Sequence, residues 1–177
     1  DSSQLEIPVQ IKTRGHFRRL KENSSYPPLL IQFPKEGPLL TSVFKEQKKL
    51  KLVMPCSGDE YVIREWLVYK LYNLVTPKSF RARPVKVTME DEKSKKTGTT
   101  LYGLLLEEEK QMAKRNTMIA VEKKLKPQQI QPDPFLTMAV FQYLIGNTDW
   151  SNQYLQNIKL LAQDSLAVPV AVPYDFD

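Results

Sequence analysis

Cysteine and histidine each occur once, as Cys56 and His16, in a chain of 177 residues. One cysteine excludes an internal disulfide framework and a multi-cysteine zinc site. One histidine excludes a histidine-rich metal centre and argues against a Cys–His nucleophile pair. His16 reads as a polar turn residue, and Cys56, after Pro55, as a small buried or turn residue. Glycine is scarce as well: the six glycines are scattered, so the chain has no multi-glycine phosphate loop. Long apolar runs are missing. The longest, residues 135–145, is too short to span a bilayer and contains Thr137 and Gln142. No basic segment followed by an apolar core opens the sequence, so a signal peptide is expected to be absent or already removed.

What is present fits a folded chain. Apolar residues make up 41% and aromatics 10%, which rules out a mainly disordered polymer and suits one globular domain or two small lobes sharing a cleft. Charge is unevenly placed. Residues 1–126 carry 25 Lys/Arg against 15 Asp/Glu, whereas residues 127–177 carry one Lys against five Asp. A basic front and an acidic rear suit a site that holds phosphate together with a divalent cation. The lysines are spread over many segments without an aromatic RNA-binding signature, which argues against a specific nucleic-acid partner.

Along the chain, residues 5–13 alternate apolar and polar positions and predict a strand, as do residues 26–33, whose prolines are confined to the start. Residues 49–53 form a short alternating strand with Lys49, Lys51 and Val53 on one face. Asp59 reads as a helix N-cap, with a helix over 60–75 closed by Pro77. Residues 80–89 and 100–106 predict a strand pair joined by a charged tip, and 107–116 a short helix or loop. Three prolines in 127–134 mark a connection between lobes, so the expected units are 1–126 and 127–177. Asp133-Pro134 predicts a helix start, followed by a helix over 135–145 that is apolar on most faces and expected to be buried, with Gly146 as its C-terminal cap. Residues 157–161 and 166–172 predict a hairpin. The fold class is α+β, with an N-terminal antiparallel sheet lobe carrying one helix.

The chemistry-bearing stretch is 144–161 (LIGNTDWSNQYLQNIKLL), followed by 173–177 (PYDFD). A helix ends in a loop carrying Asp149, Asn157 stands at the mouth of the hairpin, and Asp175 lies past its other end. A hairpin brings its ends together, so Asn157 and Asp175 are expected to be neighbours, with Asp149 facing them. Phosphoryl transfer requires such a set: one carboxylate orients the nucleophile, while an amide oxygen and a second carboxylate hold Mg²⁺ against the phosphates.

In this order of motifs the chain resembles the CotH-type atypical protein kinases, a secreted or spore-coat family with the protein-kinase-like fold. Residues 11–15 (IKTRG) and 26–33 (YPPLLIQF) are similar to that family's Arg-Gly turn and next strand. Residues 50–53 (LKLV) and a helix containing Arg64 and Glu65 are similar to its lysine strand and glutamate helix. Residues 102–107 (YGLLLE) are similar to its glycine-bearing strand and acidic hinge. The resemblance implies a two-lobe kinase-like fold of which residues 127–177 begin the C-terminal lobe. It implies ATP and Mg²⁺ or Mn²⁺ as cofactors, a nucleotide and a protein substrate as partners, and transfer to Ser or Thr. It casts Asp149 as the catalytic aspartate and Asn157 and Asp175 as metal ligands. Lys51, paired with Glu65, becomes the phosphate contact, with Arg14, Gly15 and Glu107 as further nucleotide-site residues. It also leans towards an extracytoplasmic location. The start at Asp1 without methionine implies removal of a leading segment or a boundary within a longer protein, and a kinase-like fold would continue past Asp177.

Three features depart from the kinase pattern: the missing multi-glycine loop, the Asp149–Asn157 spacing and the closing Asp-Phe-Asp. The Asp149–Asn157 spacing is eight where protein kinases have five, so the loop must bulge, and Asn152 is a nearer alternative ligand. Lys49 shares the strand face of Lys51 and is the alternative to it. Asp-Phe-Asp replaces Asp-Phe-Gly, leaving Asp177 as a second acidic ligand or a substitute for Asp175. The same departures fit two other functions: a catalytically inactive binding module gripping an acidic partner, or a structural surface or coat protein.

Overall fold

The computed structural model describes residues 4–14, 26–55, 58–90 and 98–176. Gly15, His16, Cys56, Asp177 and most of the charged tip after Met89 lie outside the described residues. The fold is α+β, with eight strands and three α-helices among the described residues, in the order β1 (Gln10–Thr13), β2 (Leu29–Gln32), β3 (Lys49–Val53), α1 (Asp59–Val75), β4 (Ala82–Met89), β5 (Thr99–Leu106), α2 (Glu109–Arg115), β6 (Ile119–Val121), α3 (Pro132–Leu144), β7 (Ile158–Ala162) and β8 (Val170–Pro173). It divides into two compact units, residues 1–63 with 83–106 and residues 64–82 with 107–177. These cuts differ from the expected boundary at 126, because β6 joins the sheet of β7 and β8 and so draws 107–126 into the second unit.

The first unit is built on an antiparallel sheet of five strands in the order β1-β2-β3-β5-β4. Strand β3 pairs Lys51 with Leu30 of β2 and with Leu106 of β5. Alternation along β3 sends Leu50 and Leu52 to a core that also contains Met54, Leu101 and Leu105, and sends Lys49, Lys51 and Val53 to the other face. Gly103 lies where strands crowd: a Cβ there would stand 2.9 Å from Leu52 Cδ1 and 3.2 Å from the Val53 carbonyl oxygen. The first two strands are shorter than expected. β1 starts only at Gln10, since Pro8 lacks the N–H a ladder needs, and Pro27 and Pro28 delay β2 to Leu29 in the same way.

The second unit holds the three-stranded antiparallel sheet β6-β7-β8 and the helices α2 and α3. Its core includes Ile130, Met138, Ile158, Leu160 and Ala171. Fully burying a side chain such as Ile158 or Leu160 stabilises by about 1.5–3 kcal/mol relative to leaving it exposed. Strand β6 is the element the sequence did not signal, three residues being too short to show alternation. Helix α3 begins two residues early, with Gln131 as N-cap and Asp133 inside the first turn, and Gly146 follows it at φ 70° as expected of a left-handed cap. It is not buried on most faces. Met138, Phe141 and Gln142 point inward, while Leu136, Val140, Tyr143 and Leu144 form an exposed apolar stripe.

Helix α1 buries Val62, Glu65, Tyr69 and Tyr72 and exposes Tyr61, Leu67, Leu71 and Leu74. Polar groups turn inward only where partners offset their desolvation. Among the described residues, no helix is long and apolar enough to cross a membrane.

Candidate functional site

The site begins where α3 ends. The Asn147 N–H donates to the Gln142 carbonyl at 2.9 Å, and the Asn147 side-chain oxygen accepts the Asp149 N–H at 2.9 Å, turning the chain sharply after Gly146. Ser151 and Gln156 then exchange two backbone hydrogen bonds of 2.9 Å each, closing a miniature hairpin whose turn is 152–155. This hairpin absorbs the three residues by which the Asp149–Asn157 spacing exceeds five, and returns Asn157 to Asp149. The Asn157 amide Nδ2 donates to the Asp149 carbonyl at 2.9 Å and to Asp149 Oδ2 at 3.2 Å. Gln156 Nε2 donates to Asp149 Oδ1. Both carboxylate oxygens of Asp149 are thus oriented by amides while the residue stays exposed, as a group that must meet an incoming hydroxyl should be.

The β7–β8 hairpin carries the third residue to the same place. Ile158 pairs with Pro173, and just beyond that pair the Tyr174 N–H donates to the Asn157 carbonyl at 3.0 Å. Asp175 follows, and its N–H donates to the Tyr69 hydroxyl at 3.0 Å. Phe176 meets the Tyr69 ring edge-on at 4.8 Å between centroids and lies 6.3 Å from Phe141, which packs against Tyr72 at 4.6 Å. Tyr69 is 1% exposed, and its hydroxyl stands in the field of the Glu65 carboxylate. Burial first, and the Glu65 charge second, hold this phenol well above the usual tyrosine range, so it remains a donor. Asn157 and Asp175 both have left-handed backbones, φ 50° and 63°, a conformation concentrated at functional sites.

The loop, the hairpin and α1 therefore bring Asp149, Asn157 and Asp175 into one hydrogen-bonded neighbourhood. Asn157 Oδ1 and the Asp175 carboxylate are the oxygens that could hold a hard cation there. Among the described residues, no group of three or more His, Cys, Asp or Glu could hold a metal ion. Asn152, the alternative ligand, is 4% exposed, and neither amide atom is hydrogen-bonded.

Of the other expected residues, Lys51, Lys49 and Arg14 belong to the first unit and Glu107 to the second. Lys51 is half-buried on β3, and Lys49 on the same strand face is exposed. Arg14 continues the β1–β2 ladder through its N–H, which donates to the Pro28 carbonyl at 2.9 Å. Gly15 and Asp177 lie outside the described residues. Glu107 takes two bonds from Arg115, of 3.0 and 2.9 Å, and one from the Arg81 N–H at 2.9 Å, so a nucleotide contact from this carboxylate would have to displace Arg115. Two participants escaped the sequence reading. Gln156 had no signal beyond its place before Asn157. Tyr69 had one, since it stands four residues after Glu65 and so on the same helix face. No family model matches the chain, and no curated protein matches it.

Proposed function

We propose that this chain carries out phosphoryl transfer from ATP, with Mg²⁺ or Mn²⁺, to a Ser or Thr hydroxyl of a protein. The observation that carries the reading is the Asp149–Asn157 pair: an exposed carboxylate fixed by the amide of an asparagine whose remaining oxygen is free to face a cation. Asp175 stands beside it through the Tyr174–Asn157 bond. In the proposed reaction Asp149 orients the substrate hydroxyl and takes its proton as the hydroxyl oxygen bonds to the γ-phosphorus. The bond from that phosphorus to the bridging oxygen breaks, and ADP leaves with the electron pair. Asn157 Oδ1 and Asp175 would hold the metal, which supplies charge neutralisation at the phosphates when bound. Lys51 is assigned to the phosphates, and Glu65 to holding it, from the sequence pattern and the resemblance to CotH-type kinases.

The test is ATP turnover with a Ser/Thr-containing protein substrate such as casein, comparing the chain with Asp149→Asn. Asparagine keeps the size and most hydrogen-bond geometry but cannot take the proton. A positioned general base typically contributes about 10²–10⁴-fold, and a loss of that order is expected. Equal turnover by the two proteins refutes the assignment of Asp149.

A further inference from the structure

We infer that Tyr69 is a positioning residue for the metal site, its hydroxyl fixing the backbone of Asp175 and thereby the carboxylate that would meet the cation. This rests on reading Asp175 as a metal ligand. A tyrosine at 1% exposure needs partners for both functions of its hydroxyl, as acceptor and as donor. The hydroxyl accepts the Asp175 N–H at 3.0 Å, and the nearby Glu65 carboxylate keeps it protonated; both residues belong to the proposed site. Its ring does separate work, meeting Phe176, the next residue, at 4.8 Å. One side chain therefore grips two consecutive residues, one through the main chain and one through the ring.

The grip matters because of the backbone it holds. Asp175 has φ 63°, which a residue bearing a Cβ keeps only where surrounding contacts over-determine it. On one side the constraint is the Tyr174–Asn157 bond, and on the other it is Tyr69 with Phe176. Removal of the hydroxyl alone leaves the ring contact intact and the Asp175 N–H without its Tyr69 acceptor. The carboxylate then loses a contact that fixes its own backbone. Outer partners that orient a metal ligand typically account for 10–100-fold in metal affinity when removed.

The experiment is Mn²⁺ titration of the chain, read by the loss of the free-ion electron paramagnetic resonance signal, for the wild type, Tyr69→Phe and Asp175→Asn. The expected result is a Kd raised at least tenfold by Tyr69→Phe and binding abolished by Asp175→Asn. If the wild type takes up no Mn²⁺, or Asp175→Asn binds as well as wild type, the metal reading fails and the inference falls with it. If Asp175→Asn weakens binding and Tyr69→Phe stays within twofold of wild type, the inference alone is overturned. Far-UV circular dichroism establishes that each variant is folded. Should Tyr69→Phe unfold, 3-fluorotyrosine at position 69 replaces it, since its hydroxyl is a weaker acceptor of nearly the same size. A two- to fivefold rise in Kd is then expected, and an unchanged Kd overturns the inference.

Discussion

Replacing Arg115 with methionine should cost the second unit about 3 kcal/mol. The guanidinium makes four hydrogen bonds: Nε and Nη2 to the two carboxylate oxygens of Glu107 at 3.0 and 2.9 Å, Nη1 to the Pro77 carbonyl at 2.9 Å, and Nη2 to the Ser79 carbonyl at 2.8 Å. It thereby ties the turn after α1, the exit of β5 and the end of α2 to one another. Methionine keeps much of the aliphatic packing and removes every one of these bonds. Asn116 still donates to the Pro77 carbonyl at 3.2 Å, and Arg81 to Glu107, so the loss is partial there. The Arg115 and Glu107 side chains are only 21% and 11% exposed. Breaking a buried pair costs about 3–5 kcal/mol and an exposed one about 0–1, which places this pair and its two carbonyl bonds near 3. With a urea slope of about 2 kcal/mol per molar, the midpoint in a denaturation curve followed by circular dichroism should fall by about 1.5 M. A double-mutant cycle with Glu107→Gln should show coupling of about 2 kcal/mol. A loss below about 1 kcal/mol, with additive single effects, would refute the argument that this pair fastens the three segments.

Gln142 offers the opposite sign. It is fully buried and neither amide atom has a hydrogen-bond partner, so Gln142→Met should stabilise by about 1–3 kcal/mol, and a fall in the thermal midpoint would count against that account. Tyr72 predicts a pH effect. Burial raises its phenol above the ordinary value, so its contribution to stability is complete below about pH 10 and declines as pH rises from there through the folded-state pKa. Tyr72→Phe should therefore flatten the alkaline limb of a stability–pH profile measured by urea midpoints between pH 9 and 11.5, and parallel profiles would contradict this.

Elements whose own residues determine them were legible in the sequence. β3 and α1 appear at the expected positions because alternation in 49–53 and helical spacing after Asp59 are local signals. The β7–β8 hairpin was legible as well, and with it the nearness of Asn157 to Asp175, which follows from pairing alone. What failed to show depends on distant partners. Periodicity ranks the faces of α1 by apolarity, and Leu67, Leu71 and Leu74 outrank Glu65, Tyr69 and Tyr72, yet the latter are buried. The reason lies about a hundred residues away, where the Asp175 N–H and the Phe176 ring meet Tyr69. α3 errs for a related reason: apolar content shows that a helix can be covered, not that a given face is, and Tyr143 is 89% exposed. The bulge of the Asp149 loop was readable as a count, but its form, a bridge between Ser151 and Gln156, was not.

The left-handed backbones at Asn157 and Asp175 bear on how this chain could drift over generations. Asparagine, aspartate and glycine tolerate that conformation best, and of these only the first two carry a side-chain oxygen for a cation. Two filters thus act on each position and nearly coincide, one conformational and one chemical. Glycine passes only the first: at 157 or 175 it should leave the loop folded and remove the oxygen. Valine or isoleucine fails both. A deep mutational scan scored for abundance should therefore accept glycine at these positions, and the same scan scored for turnover should reject it. The difference between the two maps would separate the demands of the backbone from those of the reaction without a structure of any bound state.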